Sequence, residues 1–308
     1  MKNILKIEHN MESQPNIYSR FMSEARKIIF GKDHELKLAL AAFLGRGHVL
    51  IEDIPGMGKT TFVSCIAKIL GLRMSRVQFT NDLLPSDILG ASIYDPKTGE
   101  FRFSQGPIFS EIIMGDELNR ASPKSQSAFL QAMEEHAVSI DGKLHELPNP
   151  FFIIATQNPH TQVGTHLLPE SQLDRFLMKF SLGYPSRKFE TEMLKGGSPR
   201  DHLDQLTSLF TKTELIKIQD QVKEVHISDV VVEYVQEILI RARVKNYPLS
   251  PRAGLQLIQA AKAWAYLSDR AFVIPEDIQD IAGPVLTHRI PRAEASTIQQ
   301  LLTEIAVP

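Results

Sequence analysis

The sequence predicts an α/β fold in which a mainly parallel five-stranded sheet carries two β-hairpin inserts and is followed by an all-helical segment. Three observations predict it. Short buried-strand runs alternate with helical stretches up to about residue 182; the strand signal stops at Gly183-Tyr184-Pro185; only helical periodicity follows, to residue 308. Strands that alternate with helices form βαβ units, and their crossovers give parallel sheets.

Residues 1–15 are polar and expected to be mobile, after which Ile17, Phe21, Ala25 and Ile28 recur at helical spacing and Gly31 supplies a stop. A second helix is predicted over Glu35–Leu44, with Asp33 as its N-cap, apolar positions nearly all round, and a Gly45-Arg46-Gly47 turn at its end. His48–Glu52, Arg76–Phe79, Ile112–Gly115 and Phe151–Ala155 read as buried strands bounded by Gly, Pro, Asp or Asn, with Phe176–Leu182 as a weaker fifth. Thr60–Leu70 and Ser122–His136 are the intervening helices. Ala91–Gly106, with a turn at Asp95–Gly99, and Ala137–Pro150, with a turn at Asp141-Gly142, read as hairpins. Beyond them come a capping box at Thr211 and Glu214, a long apolar helix over Ser228–Val244, and helices starting near Pro251 and Pro275. The expected division is 1–15, an α/β domain over 16–186 and a helical domain over 187–308.

Lys plus Arg (34) nearly balance Asp plus Glu (36), which gives no general attraction to nucleic acid or to acidic membranes. The N-terminus lacks the apolar core of a signal peptide, and no apolar run approaches the roughly 20 residues that cross a bilayer. The single cysteine, Cys65, excludes an internal disulfide, is expected to be a small packed residue, and fits a reducing, cytoplasmic setting.

The informative segment is Val49 to Thr61, a hydrophobic strand running into Asp53-Ile54-Pro55-Gly56-Met57-Gly58 and then Lys59-Thr60-Thr61 at a helix start. A triphosphate needs successive backbone N–H groups and a helix N-terminus. Gly56 and Gly58 let that backbone approach, Lys59 reaches the β and γ phosphates, and Thr60 ligates Mg²⁺. The general P-loop pattern has glycine where this chain has Asp53; Asp tolerates left-handed backbone better than most residues, so the loop is still expected to form. The plainer alternative is a tight strand-to-helix turn with Lys59 solvated.

Ile112-Ile113-Met114-Gly115 ends in Asp116-Glu117, where a nucleotide site needs a Mg²⁺ partner held through the metal's water shell and a group that polarises the attacking water. Phe152–Ala155 runs on to Asn158, which either orients that water or caps the turn before Pro159.

Gly106-Pro107-Ile108-Phe109, Asp116–Ala121, Met133-Glu134-Glu135, Ala155–Pro159, Leu168–Phe176 and Ser250–Ala253, in this order and spacing, closely resemble the MoxR family of AAA+ ATPases from about residue 15 to the end. The resemblance implies Mg²⁺ and ATP as cofactors, ATP hydrolysis in a homo-oligomeric, hexameric ring, and chaperone-like remodelling or maturation of client complexes. It also implies a von Willebrand factor A domain partner. Asn158 matches the sensor-1 position, Arg252 the sensor-2 position, and Arg175 the arginine that reaches a neighbouring subunit's nucleotide. Ile29-Phe30-Gly31 match the segment that holds adenine, and Arg120 and Gln78 are candidates for interface and switch roles.

Plainer alternatives stand beside each assignment: Arg175 paired with Asp174 or Glu170, Arg252 as an ordinary helix-surface arginine, Phe30 as core. Rival functions are a nucleic-acid motor, which the absence of a basic, aromatic-interleaved stripe disfavours, a metal-chelatase ATPase subunit, and a switch that binds nucleotide without hydrolysing it.

Overall fold

The computed structural model describes residues 16–159, 166, 168–195, 199–291, 293 and 295–308; segment 1–15, expected to be mobile, lies outside the described residues. The first helix, α1 (Ile17–Ala25), opens on Asn16, whose side-chain oxygen accepts from Tyr18 N–H. In α2 (Asp33–Leu44) the cap differs from expectation. Lys32 occupies the non-helical position with φ −123°, and Asp33 is the first helical residue. There its carboxylate faces the positive end of the helix dipole and pairs with Arg26 at 2.5 Å, so it still serves the helix start, though by charge.

The chain continues through β1 (Val49–Glu52), α3 (Lys59–Leu70), β2 (Met74–Gln78), the short α4 (Pro85–Leu89) and the hairpin β3 (Gly90–Asp95) and β4 (Glu100–Gln105). Next come β5 (Ile112–Asp116), α5 (Pro123–Glu135), the hairpin β6 (Ala137–Ile140) and β7 (Lys143–Glu146), β8 (Phe152–Gln157), α6 (Glu170–Leu173) and β9 (Met178–Phe180). From there the described elements are helical: α7 (Arg187–Leu194), α8 (Lys212–Lys223), α9 (Asp229–Val244), α10 (Pro251–Leu267), α11 (Pro275–Leu286) and α12 (Ala295–Thr303). Ser228 and Ser250 cap α9 and α10, and the Thr211–Glu214 box closes reciprocally.

The five-stranded sheet has the order β2-β5-β8-β1-β9 with every pairing parallel. Strand edges shift by up to two residues from the sequence reading. β2 begins at Met74 because it follows β5 in register from Met74↔Ile112 to Gln78↔Asp116. β8 continues through Thr156 and Gln157 because Gln157 still pairs with Glu52. β9 is only Met178–Phe180.

The central strands are buried on both sides, which is why they read as continuous apolar runs. Val49, Ile51, Met114 and Ile154 pack toward α1–α3 and the C-terminal helices, whereas Leu50, Ile113 and Ile153 pack against Phe129 and Leu130 of α5. After β1 the chain crosses to the far edge at β2, while β9 lies on the other side of β1. The carboxyl ends of strands at such a switch point are where open α/β sheets bind ligands. Cys65 is buried in α3, and burial pushes its thiol up to about 12, consistent with a packed, unreactive side chain.

His48, at the foot of β1, is locked in one tautomer. Its Nδ1 accepts from Ile153 N–H at 3.1 Å, so Nε2 carries the proton and donates to Met133 O at 3.3 Å. Burial holds its pKa down at about 3, and burial also depresses His288. Between the ordinary value of 6.5 and those depressed values the unfolded chain binds more protons than the folded one. Stability therefore falls as pH drops below about 6.5. Each unit costs about 1.4 kcal/mol per buried imidazole, so thermal unfolding at about pH 5 should show a loss of about 2 kcal/mol for His48 alone. The His48→Gln variant, which keeps a donor and an acceptor, should show a flatter pH profile.

Candidate functional site

The loop between β1 and α3 forms the floor of the site. Gly56 (φ +89°) and Gly58 (φ +77°) occupy left-handed backbone, and the space into which a Cβ at either would project holds no atom within 4 Å. Such a cradle fits phosphate oxygens, and α3 begins immediately behind it at Lys59, with Gly58 as its cap and no acidic residue in the first turn. Lys59 is buried, and its Nζ donates back to Asp53 O at 2.6 Å and Ile54 O at 3.2 Å. Burial lowers the Lys59 pKa, while Asp53, Asp116 and Glu117 pull it up. An incoming anion would meet an ammonium already desolvated and held by two backbone carbonyls. Pro55 is exposed, and Met57, Thr60 and Thr61 flank the loop and the first turn of α3 half-buried.

Asp53 does something other than what its loop position suggests. It is absent from the residues with positive φ, and its buried carboxylate accepts from Ser181 Oγ (2.6 Å), Leu182 N–H (2.6 Å) and Gly183 N–H (3.2 Å). The chain uses Asp here to tie the P-loop to the turn after β9, at the point where strands give way to helices. A glycine at 53 would leave those donors without this acceptor.

At the end of β5, Asp116 Oδ1 accepts from Thr156 Oγ1 at 2.7 Å and its Oδ2 from Arg76 Nη2 at 2.6 Å. Glu117 has φ +58°, a left-handed conformation uncommon for a side chain of this kind, and its N–H donates to Thr156 Oγ1 at 3.0 Å. Its carboxylate accepts from Asn158 Nδ2 (3.0 Å), Arg120 Nη1 (2.9 Å) and Gln78 Nε2 (3.3 Å). Asn119 in turn donates to Asn158 O at 3.1 Å. The carboxyl ends of β1, β2, β5 and β8 thus bring Lys59, Gln78, Asp116, Glu117 and Asn158 together. The residues found suit a Mg²⁺-nucleotide: a backbone cradle, a cation, and two acids side by side. Sequence reasoning missed Arg76, Thr156 and Asn119. Thr156 was detectable as a hydroxyl ending an otherwise apolar buried strand.

Ile29 is buried and Phe30 is 40% exposed, so Phe30 is not a core residue. Its ring stacks on Phe189 of α7 at 4.8 Å and 11°, and next to it Lys32 Nζ donates to Tyr184 O at 2.9 Å. Gly31 (φ +67°) lies close under Phe189. These contacts set Ile29-Phe30-Gly31 beside the turn that Asp53 holds, within the same neighbourhood as the P-loop. Phe189 is a further aromatic there that no motif announced.

Arg175 and Arg252 are not part of this constellation. Arg175 Nε pairs with Glu134 Oε2 at 3.1 Å, and Arg252 Nη1 with Glu134 Oε1 at 3.0 Å; neither Asp174 nor Glu170 is the partner of Arg175. The expected placement of Arg252 at the opening turn of a helix holds, since Ser250 Oγ accepts from Ala253 N–H at 3.2 Å and Pro251 is the first helical residue. That turn, however, faces a cavity lined by Gly47, His48 and Leu177, the residues just before β1 and β9, so it lies at the amino end of the parallel sheet. The P-loop leaves the carboxyl end, and β1 alone separates the two by about 13 Å. The structure therefore does not bring Arg252 to its own chain's Lys59, because the helical segment packs against the foot of the sheet.

Residues 48–178 match the model of the ATPase family associated with various cellular activities (AAA), and residues 241–305 match the AAA lid domain. The chain is 42% identical to the uncharacterized protein YeaC of Bacillus subtilis (strain 168), over 95% of each chain. It is 35% identical to chaperone MoxR1 of Mycobacterium tuberculosis, covering 96% of this chain and 81% of the relative. A crystal structure from Cytophaga hutchinsonii, described as a "putative ATPase", superposes with TM-score 0.85 at 34% identity over 94% of both chains.

Proposed function

This chain belongs to the MoxR family of AAA+ ATPases, and from that premise we propose that it hydrolyses Mg²⁺-ATP in a homo-oligomeric, hexameric ring to remodel or mature client protein complexes. The observation that carries the ring is the split just described. The carboxyl end of the sheet holds a P-loop, Asp116 and Glu117, and the amino end offers two arginines joined through one carboxylate. Packing the arginine end of one protomer on the P-loop end of the next completes both half-sites, and a heterologous contact of this kind forms a ring when the rotation between protomers closes.

In this reading the N–H groups of residues 56–61 cradle the phosphates, and Lys59 Nζ exchanges the carbonyls of Asp53 and Ile54 for β and γ phosphate oxygens. Thr60 and Asp116 would hold Mg²⁺, which would supply neutralisation of charge on the phosphates. Glu117 accepts a proton from the attacking water, and Asn158, already on the Glu117 carboxylate, orients both. Phe30 and Phe189 flank the base. Arg175 and Arg252 act in trans on charge that develops in the transition state.

A protein client is favoured over nucleic acid by the first hairpin, whose Ile93, Tyr94 and Phe101 are each more than half exposed while Lys97 and Arg102 are its only basic residues. A von Willebrand factor A domain protein as partner, a cytoplasmic setting, and movement of a helical domain over 187–308 against an α/β domain over 16–186 complete the proposal. No described helix is long and apolar enough to cross a membrane.

The test is steady-state ATP hydrolysis against protein concentration, with Glu117→Gln and Arg175→Ala assayed separately and mixed. Activity per protomer should rise with concentration, each variant should be nearly inactive, and the mixture should regain part of the rate through sites that pair an intact Glu117 with an intact Arg175. Normal hydrolysis by monomeric Arg175→Ala would remove the ring mechanism.

A further inference from the structure

Each acid of the Asp116–Glu117 pair carries its own arginine. Arg120, one helical turn on, sits on Glu117, and Arg76, from the neighbouring strand β2, sits on Asp116. The second pairing follows from register: Gln78 stands opposite Asp116, and Arg76, two residues earlier, projects from the same face of β2. Asp116 is nearly buried, and its Oδ1 is turned inward to the Thr156 hydroxyl, so Oδ2 is the oxygen left for a cation. Arg76 Nη2 occupies that oxygen at 2.6 Å and also donates to Gln78 Oε1 at 2.7 Å, which places a cation next to the Gln78–Glu117 contact as well.

The Arg76 side chain is 44% exposed, whereas that of Asp116 is 11% exposed. The acid is fixed and desolvated; the arginine is long and can swing into water. A nearly buried carboxylate without a cation in contact is costly, and although Lys59 lies within electrostatic reach of Asp116, the cation in direct contact with it is Arg76. A hydrated Mg²⁺ needs the same oxygen for one of its water ligands.

We infer that Arg76 is an internal counter-ion that stands in for the metal on Asp116, and that Mg²⁺-nucleotide must displace it, so Arg76 sets how much Mg²⁺ the site requires. This rests on the Mg²⁺-nucleotide reading of the site given above. Arg76 does not touch the reacting atoms in this role; it holds the acid pair together before metal binds and weakens the first encounter with metal.

The test is binding of a fluorescent ADP analogue to the full chain as Mg²⁺ is titrated in, for wild type, Arg76→Met and Arg76→Lys. For Arg76→Met the Mg²⁺ midpoint should fall by roughly three- to tenfold, the scale of losing one partly exposed charge-assisted pair. In EDTA the same variant should melt below wild type and recover on addition of Mg²⁺. Arg76→Lys, which keeps the charge, should lie near wild type. In an Asp116→Asn background the Arg76→Met shift should vanish. If Arg76→Met does not fold, Arg76→Gln carries the same expectation.

An unchanged or higher Mg²⁺ midpoint in the neutral variant would overturn the inference, and would make Arg76 a strut between β2 and β5 or a support for the metal. A wild type that binds the analogue with no dependence on Mg²⁺ would remove the metal reading itself, and the inference with it, which the titration distinguishes from failure of the Arg76 role alone.

Discussion

Replacing Arg175 by alanine is expected to lower kcat roughly a thousandfold while nucleotide affinity measured on the same chain stays within about twofold, because an arginine supplied in trans acts on transition-state charge. Arg252→Ala should move in the same direction. The split between binding and turnover follows from the sheet. Lys59 and the glycine loop lie past the carboxyl end of β1, whereas Glu134, Arg175 and Arg252 meet at its amino end. Truncating one arginine leaves Glu134 paired with the other, and partly exposed pairs of this kind are worth about 0–1 kcal/mol, so the melting temperature should barely move. Stopped-flow binding of an ADP analogue, read beside steady-state hydrolysis, checks both halves. A loss of affinity in a dilute, unassembled Arg252→Ala protomer would mean that this arginine reaches its own nucleotide after all.

The contrast between these two ends of the sheet also marks what the sequence makes legible. The P-loop, the Asp116-Glu117 pair and Asn158 each sit in one contiguous strand-plus-loop segment, where glycine spacing and an abrupt change from apolar to polar residues carry the information. Arg76 and Thr156 reach Asp116 only through strand register, Gln78↔Asp116 on one side and β5 against β8 on the other, and no local pattern encodes which strands are neighbours. Glu134, Arg175 and Arg252 come from two helices and a turn far apart in sequence, and a resemblance can attach roles to them without saying which end of the sheet they share. Asp33 shows the limit at finer scale: cap and first helical residue differ only in the backbone angles of Lys32 and Asp33, and an acid suits both positions. Asp53 shows another limit, since the donors it binds lie more than a hundred residues later, at Ser181 to Gly183.

The largest expected effect on stability lies under Arg175 and Arg252, at Arg289. Its side chain is 4% exposed, and its guanidinium donates to Asp174 Oδ1 at 2.9 Å, to Phe176 O at 2.7 Å, and to Val285 O and Gln256 Oε1. Burial pushes this arginine down to about 10 even though Asp174 pulls the other way, a sign of how little water reaches it. The Asp174 side chain is 25% exposed whereas Arg289 is buried, so removing the acid strands a buried guanidinium, which costs about 3–5 kcal/mol. Asp174→Asn is therefore expected to lower the melting temperature by roughly 6–15 °C for a chain of this size. The double variant Asp174→Asn with Arg289→Met should recover part of that loss, since no charge is then left buried alone. Asp174 immediately precedes Arg175 and also lies 3.8 Å from Arg252 on α10, so its pair with Arg289 holds the segment that carries Arg175 beside Arg252. The double variant, measured below its melting temperature, should fold yet hydrolyse ATP more slowly than wild type. If it regains stability and full turnover together, the Asp174–Arg289 pair is only a structural rivet, and the arginine end is held in place by Glu134 alone.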